Sequence, residues 1–88
     1  MEPTPPSARR KNGEPLKLIL YKYDTCMFCH LVFRVVDMLQ IPVEYRDIRQ
    51  SSEVRQELIA LGGKAQVPCL AINGVPLYES RDIIAFLQ

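Results

Sequence analysis

The Cys26-Met27-Phe28-Cys29 stretch stands where the hydrophobic pattern of the chain changes period. Ahead of it, Leu16 to Lys22 is apolar at nearly every position, as in a central strand buried on both faces, and behind it Leu31 to Leu39 is a largely apolar run that the helix carries. A strand running directly into a helix leaves Cys26 at or just before the helix N-terminus, where unpaired N–H groups and the helix dipole favour negative charge. Cys29 follows one turn later on the same face, within disulfide reach of Cys26. The pair predicts an attacking thiol, Cys26, and a resolving thiol, Cys29.

From this junction the order strand, helix, strand, helix, strand, strand, helix can be read along the chain. Asp24 or Thr25 is expected to cap the first helix, and Ile41-Pro42 to end it, because a residue before Pro avoids helical backbone angles. Val43 to Ile48 alternates apolar and polar side chains, which suits a half-exposed strand. Ser51-Ser52-Glu53 starts the second helix and Gly62-Gly63 stops it, with Leu58, Ile59 and Leu61 on its inner face. Val67 to Ile72 and Val75 to Tyr78 flank Asn73-Gly74, a two-residue hairpin signal, and Pro76 belongs on an edge strand. Ser80 is expected to cap a last helix, Arg81 to Leu87, with Asp82 in its first turn. A βαβ unit followed by a hairpin and a helix predicts an α/β fold, a small mixed sheet with helices on both faces.

Length and charge remove whole classes of function. With 88 residues the chain forms one domain, residues 16–88, preceded by a Pro-, Ser- and charge-rich stretch, 1–15, expected to be a disordered tail. Residues 16–88 carry eight basic and eight acidic side chains, which is no nucleic-acid footprint, and Arg9-Arg10-Lys11 reads as a solvated part of the tail. Arg34 and Asp37 interrupt the longest apolar run, so no membrane helix is expected, and the N-terminus lacks the apolar core of a secretory signal. A cytoplasmic, reducing location follows, in which three cysteines with two closely spaced read as catalytic or metal-binding rather than as a disulfide framework. Cys69 reads as a buried, inert thiol.

The order of elements, Cys26-x-x-Cys29-His30, Val67-Pro68 and Glu79-Ser80-Arg81-Asp82-Ile83-Ile84 together resemble the glutaredoxins of the thioredoxin-like superfamily over nearly the whole chain after the tail. The resemblance implies a four-stranded mixed sheet with three helices, a cis peptide bond before Pro68, and glutathione as cosubstrate of a thiol–disulfide oxidoreductase. Its substrates would be disulfide or glutathionylated proteins, and a monomer is expected. Glutathione contacts are implied at Lys22, Phe28, Val67, Pro68, Glu79, Ser80 and Asp82. Glutathione would pair with the Val67 backbone as an added strand, its sulfur towards Cys26. Its α-carboxylate would lie at Ser80 and the N–H groups opening the last helix, with Glu79 or Asp82 on its amine.

Some residues depart from that pattern. Tyr78-Glu79-Ser80-Arg81 is similar instead to the N-terminal domain of glutathione transferases, where a Glu-Ser pair does this work. Met27 stands where glutaredoxins commonly have Pro, and Tyr23 and Asp24 where they often have Lys. Met27 also keeps open an alternative, a [2Fe–2S] carrier in which two chains each give one Cys and two glutathiones complete the ligands. Cys26-x-x-Cys29-His30 matches haem attachment too, but a strand precedes the motif and no export signal does. A zinc site from Cys26, Cys29, His30 and Cys69 is strained because His30 points about 100° away from Cys29 around the helix. No metal is expected in the leading reading.

Overall fold

Residues 16–88 are described by a computed structural model, so the expected tail, with Arg9-Arg10-Lys11, lies outside the described residues. The central element is β1 (Leu18–Lys22), parallel to β2 (Glu44–Asp47) on one side and antiparallel to β3 (Cys69–Ile72) on the other. β4 (Val75–Tyr78) pairs antiparallel with β3, giving a four-stranded sheet in the order β2-β1-β3-β4. Its strands alternate with α1 (Met27–Leu39), α2 (Ser52–Gly62) and α3 (Ser80–Leu87) in the order βαβαββα, the thioredoxin-like arrangement.

Side-chain alternation along β1 divides the core in two. Leu18 and Leu20 face a cluster with Val32 and Val36 of α1, Leu70 of β3, and Ile83 and Leu87 of α3. Tyr21 faces the other side, with Leu58 of α2, Ile48, Cys69 and Ala71, and Ile19 packs against that cluster. α1 and α3 thus cover one face of the sheet and α2 the other. That second face also holds a polar network: the Tyr21 hydroxyl and the Arg46 guanidinium both donate to the Glu57 carboxylate, linking β1, β2 and α2.

Most element boundaries follow local chemistry. Ser51 caps α2, its hydroxyl accepting from the Val54 N–H at 3.4 Å, and Gly63 closes the helix with φ 87°. Asn73 and Gly74 take φ 50° and 84°, the paired positive angles of the expected turn, and Pro76 lies on the edge strand. Four expectations are corrected. β1 begins at Leu18 because Lys17 is tied to the hairpin turn, its N–H donating to Asn73 Oδ1 at 2.7 Å. On α2, Val54 joins Leu61 in packing beside Leu58, in place of Ile59. Neither Asp24 nor Thr25 caps α1, since Cys26 itself occupies the N-cap. Ser80 is already helical, and Glu79 is the N-cap of α3. Among the described residues, no helix is long and apolar enough to cross a membrane.

Candidate functional site

The N-cap of α1 is a cysteine because both neighbouring oxygen-bearing side chains are engaged elsewhere. Asp24 accepts from Lys22 Nζ at 2.7 Å, and Thr25 Oγ1 accepts from Arg49 Nη1 at 2.8 Å. Cys26 has extended backbone angles, φ −83° and ψ 117°, and no side-chain hydrogen bond caps the helix. The N–H groups of the first turn and the positive end of the helix dipole are therefore left for a negative charge beside Cys26. Cys26 is 8% exposed, whereas Cys29 and Cys69 are fully buried.

Burial separates the three thiols chemically. It pushes Cys29 up to about 12, with the neighbouring Cys26 thiol adding to the rise and the Tyr23 backbone and Lys22 charge opposing it. Burial likewise pushes Cys69 up to about 11, against hydrogen bonds from the Leu77 backbone and Tyr78. Cys26 is thus the least buried of the three thiols, and Cys29 beside it is held protonated by its surroundings. Among the described residues no three His, Cys, Asp or Glu side chains are grouped so as to hold a metal ion, and His30 Nε2 lies 2.5 Å from the Asp24 carbonyl oxygen.

Beside this helix start lies a cavity of about 290 Å³ lined by Phe28, Gln66, Val67, Pro68, Glu79 and Ser80. Three segments distant in sequence build it: the first turn of α1, the approach to β3, and the β4–α3 junction. The Val67–Pro68 bond is cis. Glu79 holds φ 71° and ψ 117°, a backbone conformation that a residue with a Cβ seldom adopts and that occurs chiefly where function demands it. Its side chain does not cap its own helix but accepts from Gln66 Nε2 at 3.2 Å. The N–H groups opening α3 stay available beside the Ser80 hydroxyl, a setting for a carboxylate, with the Glu79 carboxylate at hand for an amine. The loop carrying Gln66 is held by Tyr78, whose hydroxyl donates to the Lys64 carbonyl at 3.1 Å.

The structure brings five of the expected residues, Phe28, Val67, Pro68, Glu79 and Ser80, around one cavity. Lys22 is not among them: its amine pairs with Asp24 at 2.7 Å and Asp47 at 3.5 Å, and it lines a separate cavity with Phe33, Asp37 and Tyr45. β1 alternation and two carboxylates hold it there. Asp82 occupies the first turn of α3, exposed and outside the cavity lining. Gln66 was missed by sequence reasoning, and the available signal was its place directly before Val67-Pro68.

Residues 20–88 match the family model described as glutathione S-transferase, N-terminal domain. The chain belongs to that family. It is 39% identical over 74 residues to prostaglandin E synthase 2 of Danio rerio, an alignment covering 83% of this chain and 19% of that protein. A glutathione transferase homolog from Drosophila mojavensis with bound glutathione superposes with a TM-score of 0.70 at 24% identity, covering 82% of this chain and 34% of that one. Glutaredoxin 2 of Salmonella typhimurium in complex with glutathione superposes with a TM-score of 0.68 at 28% identity, covering 80% and 32%. The chain therefore spans a fifth to a third of the length of these relatives. The glutaredoxin resemblance holds at the level of the shared thioredoxin-like fold, while the family match is to the N-terminal domain of glutathione S-transferases.

Proposed function

We propose that this chain binds glutathione in the cavity between Phe28, Val67 and Glu79 and uses Cys26 for glutathione-dependent thiol–disulfide exchange. One observation carries the reading: the least buried of the three thiols belongs to the N-cap residue of the helix whose first turn lines that cavity, with a second, fully buried thiol three residues on. The Cys26 thiolate attacks the glutathione sulfur of a mixed disulfide, forming a Cys26–glutathione disulfide and releasing the substrate as a thiolate, which takes up a proton. A second glutathione thiolate then attacks that sulfur, yielding glutathione disulfide and free Cys26. With a protein disulfide as substrate, Cys29 attacks the Cys26 mixed disulfide instead, and glutathione later reduces the Cys26–Cys29 bond. A reducing, cytoplasmic compartment keeps the pair in its dithiol state between turnovers. The γ-glutamyl carboxylate lies at Ser80 and the α3 N–H groups, and its amine at Glu79.

Glu79→Gln keeps the size and backbone of the site and removes one charge. A charge-assisted hydrogen bond contributes roughly 1.5–3 kcal/mol, so the glutathione KM is expected to rise at least about tenfold. Arg81, exposed and outside the cavity, should change it little when replaced by Ala. A larger effect at Arg81 than at Glu79 in steady-state kinetics with varied glutathione overturns this site. Visible absorption from a [2Fe–2S] cluster after anaerobic purification would favour the carrier alternative.

A second reading rests on the 39% identity to prostaglandin E synthase 2: the same cavity and thiol serve as the glutathione-binding part of a longer protein of that kind. Prostaglandin E formation by the chain joined to such a partner region tests it.

A further inference from the structure

Arg49 follows β2 in a loop docked onto the end of β1. The Ile48 N–H donates to the Lys22 carbonyl at 3.0 Å, and the Arg49 N–H donates to Asp47 Oδ1 at 2.8 Å. The guanidinium carbon lies 3.7 Å from the centre of the Tyr23 ring, and Nη1 donates to Thr25 Oγ1 at 2.8 Å. These contacts orient an exposed cation beside the residue preceding Cys26, and they use only part of the five N–H donors that a guanidinium offers. Two neighbouring acids, Asp24 and Asp47, pair with Lys22. Among the described residues, no carboxylate forms an ion pair with Arg49. The guanidinium is held in place by the Tyr23 ring and the Thr25 hydroxyl, with donors to spare.

Strand order decides which part of a substrate it would meet. β2 runs parallel to β1 and ends beside Lys22, while β3 runs antiparallel and begins beside Tyr21. The loop carrying Arg49 and the loop carrying Val67-Pro68 therefore reach the C-terminal end of β1 from opposite sides, with Cys26 following β1 between them. If glutathione occupies the Val67 side, the other half of a mixed disulfide extends to the Arg49 side.

Resting on the glutathione reading above, we propose that Arg49 is a specificity-determining residue that selects glutathionylated substrates bearing a carboxylate next to the disulfide. Cys26 attacks the glutathione sulfur, the sulfur–sulfur bond breaks, and the protein half departs as a thiolate. Arg49 holds an acidic side chain flanking that departing cysteine and aligns the disulfide for attack. Electrostatic attraction of an acidic peptide to this loop also raises the encounter rate at low salt.

The test uses the whole reduced chain with mixed disulfides of glutathione and three short peptides, whose cysteine is flanked by Glu, Gln or Lys. Release of the peptide thiol in the first exchange is followed, and each rate is normalised to exchange of the same disulfide with dithiothreitol. At low ionic strength the parent is expected to prefer the Glu peptide over the Lys peptide by roughly five- to tenfold in kcat/KM. Arg49→Gln should reduce the ratio to within about twofold, and Arg49→Lys should restore part of it, which a merely structural role would not produce. No preference in the parent, or a preference that survives in Arg49→Gln, overturns the proposal. A raised glutathione KM in Arg49→Gln with the peptide ratio intact also overturns it, assigning the cation to glutathione's own glycyl carboxylate. Failure of the glutathione reading looks different: the peptide thiol is released, but turnover does not saturate with glutathione.

Discussion

The most direct challenge to this mechanism is competition among the three cysteines for an alkylating reagent. Reactivity tracks the thiolate fraction and access to the sulfur. At about pH 7, a thiol with the ordinary value of 9.0 is about 1% ionised, whereas one pushed up to about 12, as Cys29 is, is about 0.001% ionised. Burial, with the neighbouring Cys26 thiol adding to it at Cys29, therefore suppresses the Cys29 thiolate by about a thousandfold and that of Cys69, at about 11, by about a hundredfold. Both are also fully buried, which slows the reagent further. With limiting iodoacetamide on the reduced protein, digestion and mass spectrometry should find the label on Cys26 first, ahead of either other thiol by at least about a hundredfold. All three should label together in denaturant, because the suppression is a property of the fold. Cys26→Ser should abolish exchange with glutathione mixed disulfides, while Cys29→Ser retains it, since a second glutathione resolves the Cys26 adduct. Label appearing on Cys29 or Cys69 as fast as on Cys26 in the folded protein would refute both the assignment of the nucleophile and the burial argument beneath it.

Two further predictions concern the scaffold. A Cβ on Gly62 would lie 1.9 Å from the Tyr78 hydroxyl oxygen and 2.7 Å from the ring carbon bearing it. The helix-propensity gain of Gly62→Ala, at most about 1 kcal/mol, is then outweighed by about 1–3 kcal/mol of overpacking. Urea denaturation should show a net loss of stability for Gly62→Ala that disappears when the same change is made in the Tyr78→Ala background, and a net gain for Gly62→Ala alone refutes the clash. Alkaline pH should also destabilise the fold, because Tyr21 and Cys29 are raised to about 12 and Cys69 to about 11, above their ordinary values of 10.0 and 9.0. The unfolded chain releases these protons first, so this stability is fully present below about pH 9 and is lost as pH rises towards 11–12. A thermal midpoint that stays level or climbs between about pH 9 and 11 contradicts it.

What the sequence determined by itself was what depends on neighbours within a few residues. Ser51 and Gly63 bound α2 through hydrogen bonds to its own first and last turns, and Asn73-Gly74 sets the hairpin through two positive φ angles. The run from Leu18 to Lys22 is buried enough to require a central strand, and the spacing of Cys26 and Cys29 puts both thiols on one side of α1. Five of the cavity-lining positions, Phe28, Val67, Pro68, Glu79 and Ser80, were named through the resemblance to glutaredoxins and glutathione transferases and not through local pattern. Only the tertiary structure decided how those positions meet. Lys22 turned to Asp24 and Asp47 because strand alternation and β2 pairing set its direction, and no local pattern encodes the neighbour across a sheet. Gln66 reached Glu79 across 13 positions, and Arg49 reached Thr25 across 24. Glu79 keeps its unusual backbone angles, and Cys29 its proton, because surrounding elements pack around them. Burial and long-range partnership belong to the folded chain, and at this site they separate Cys26 from the two thiols that are fully buried.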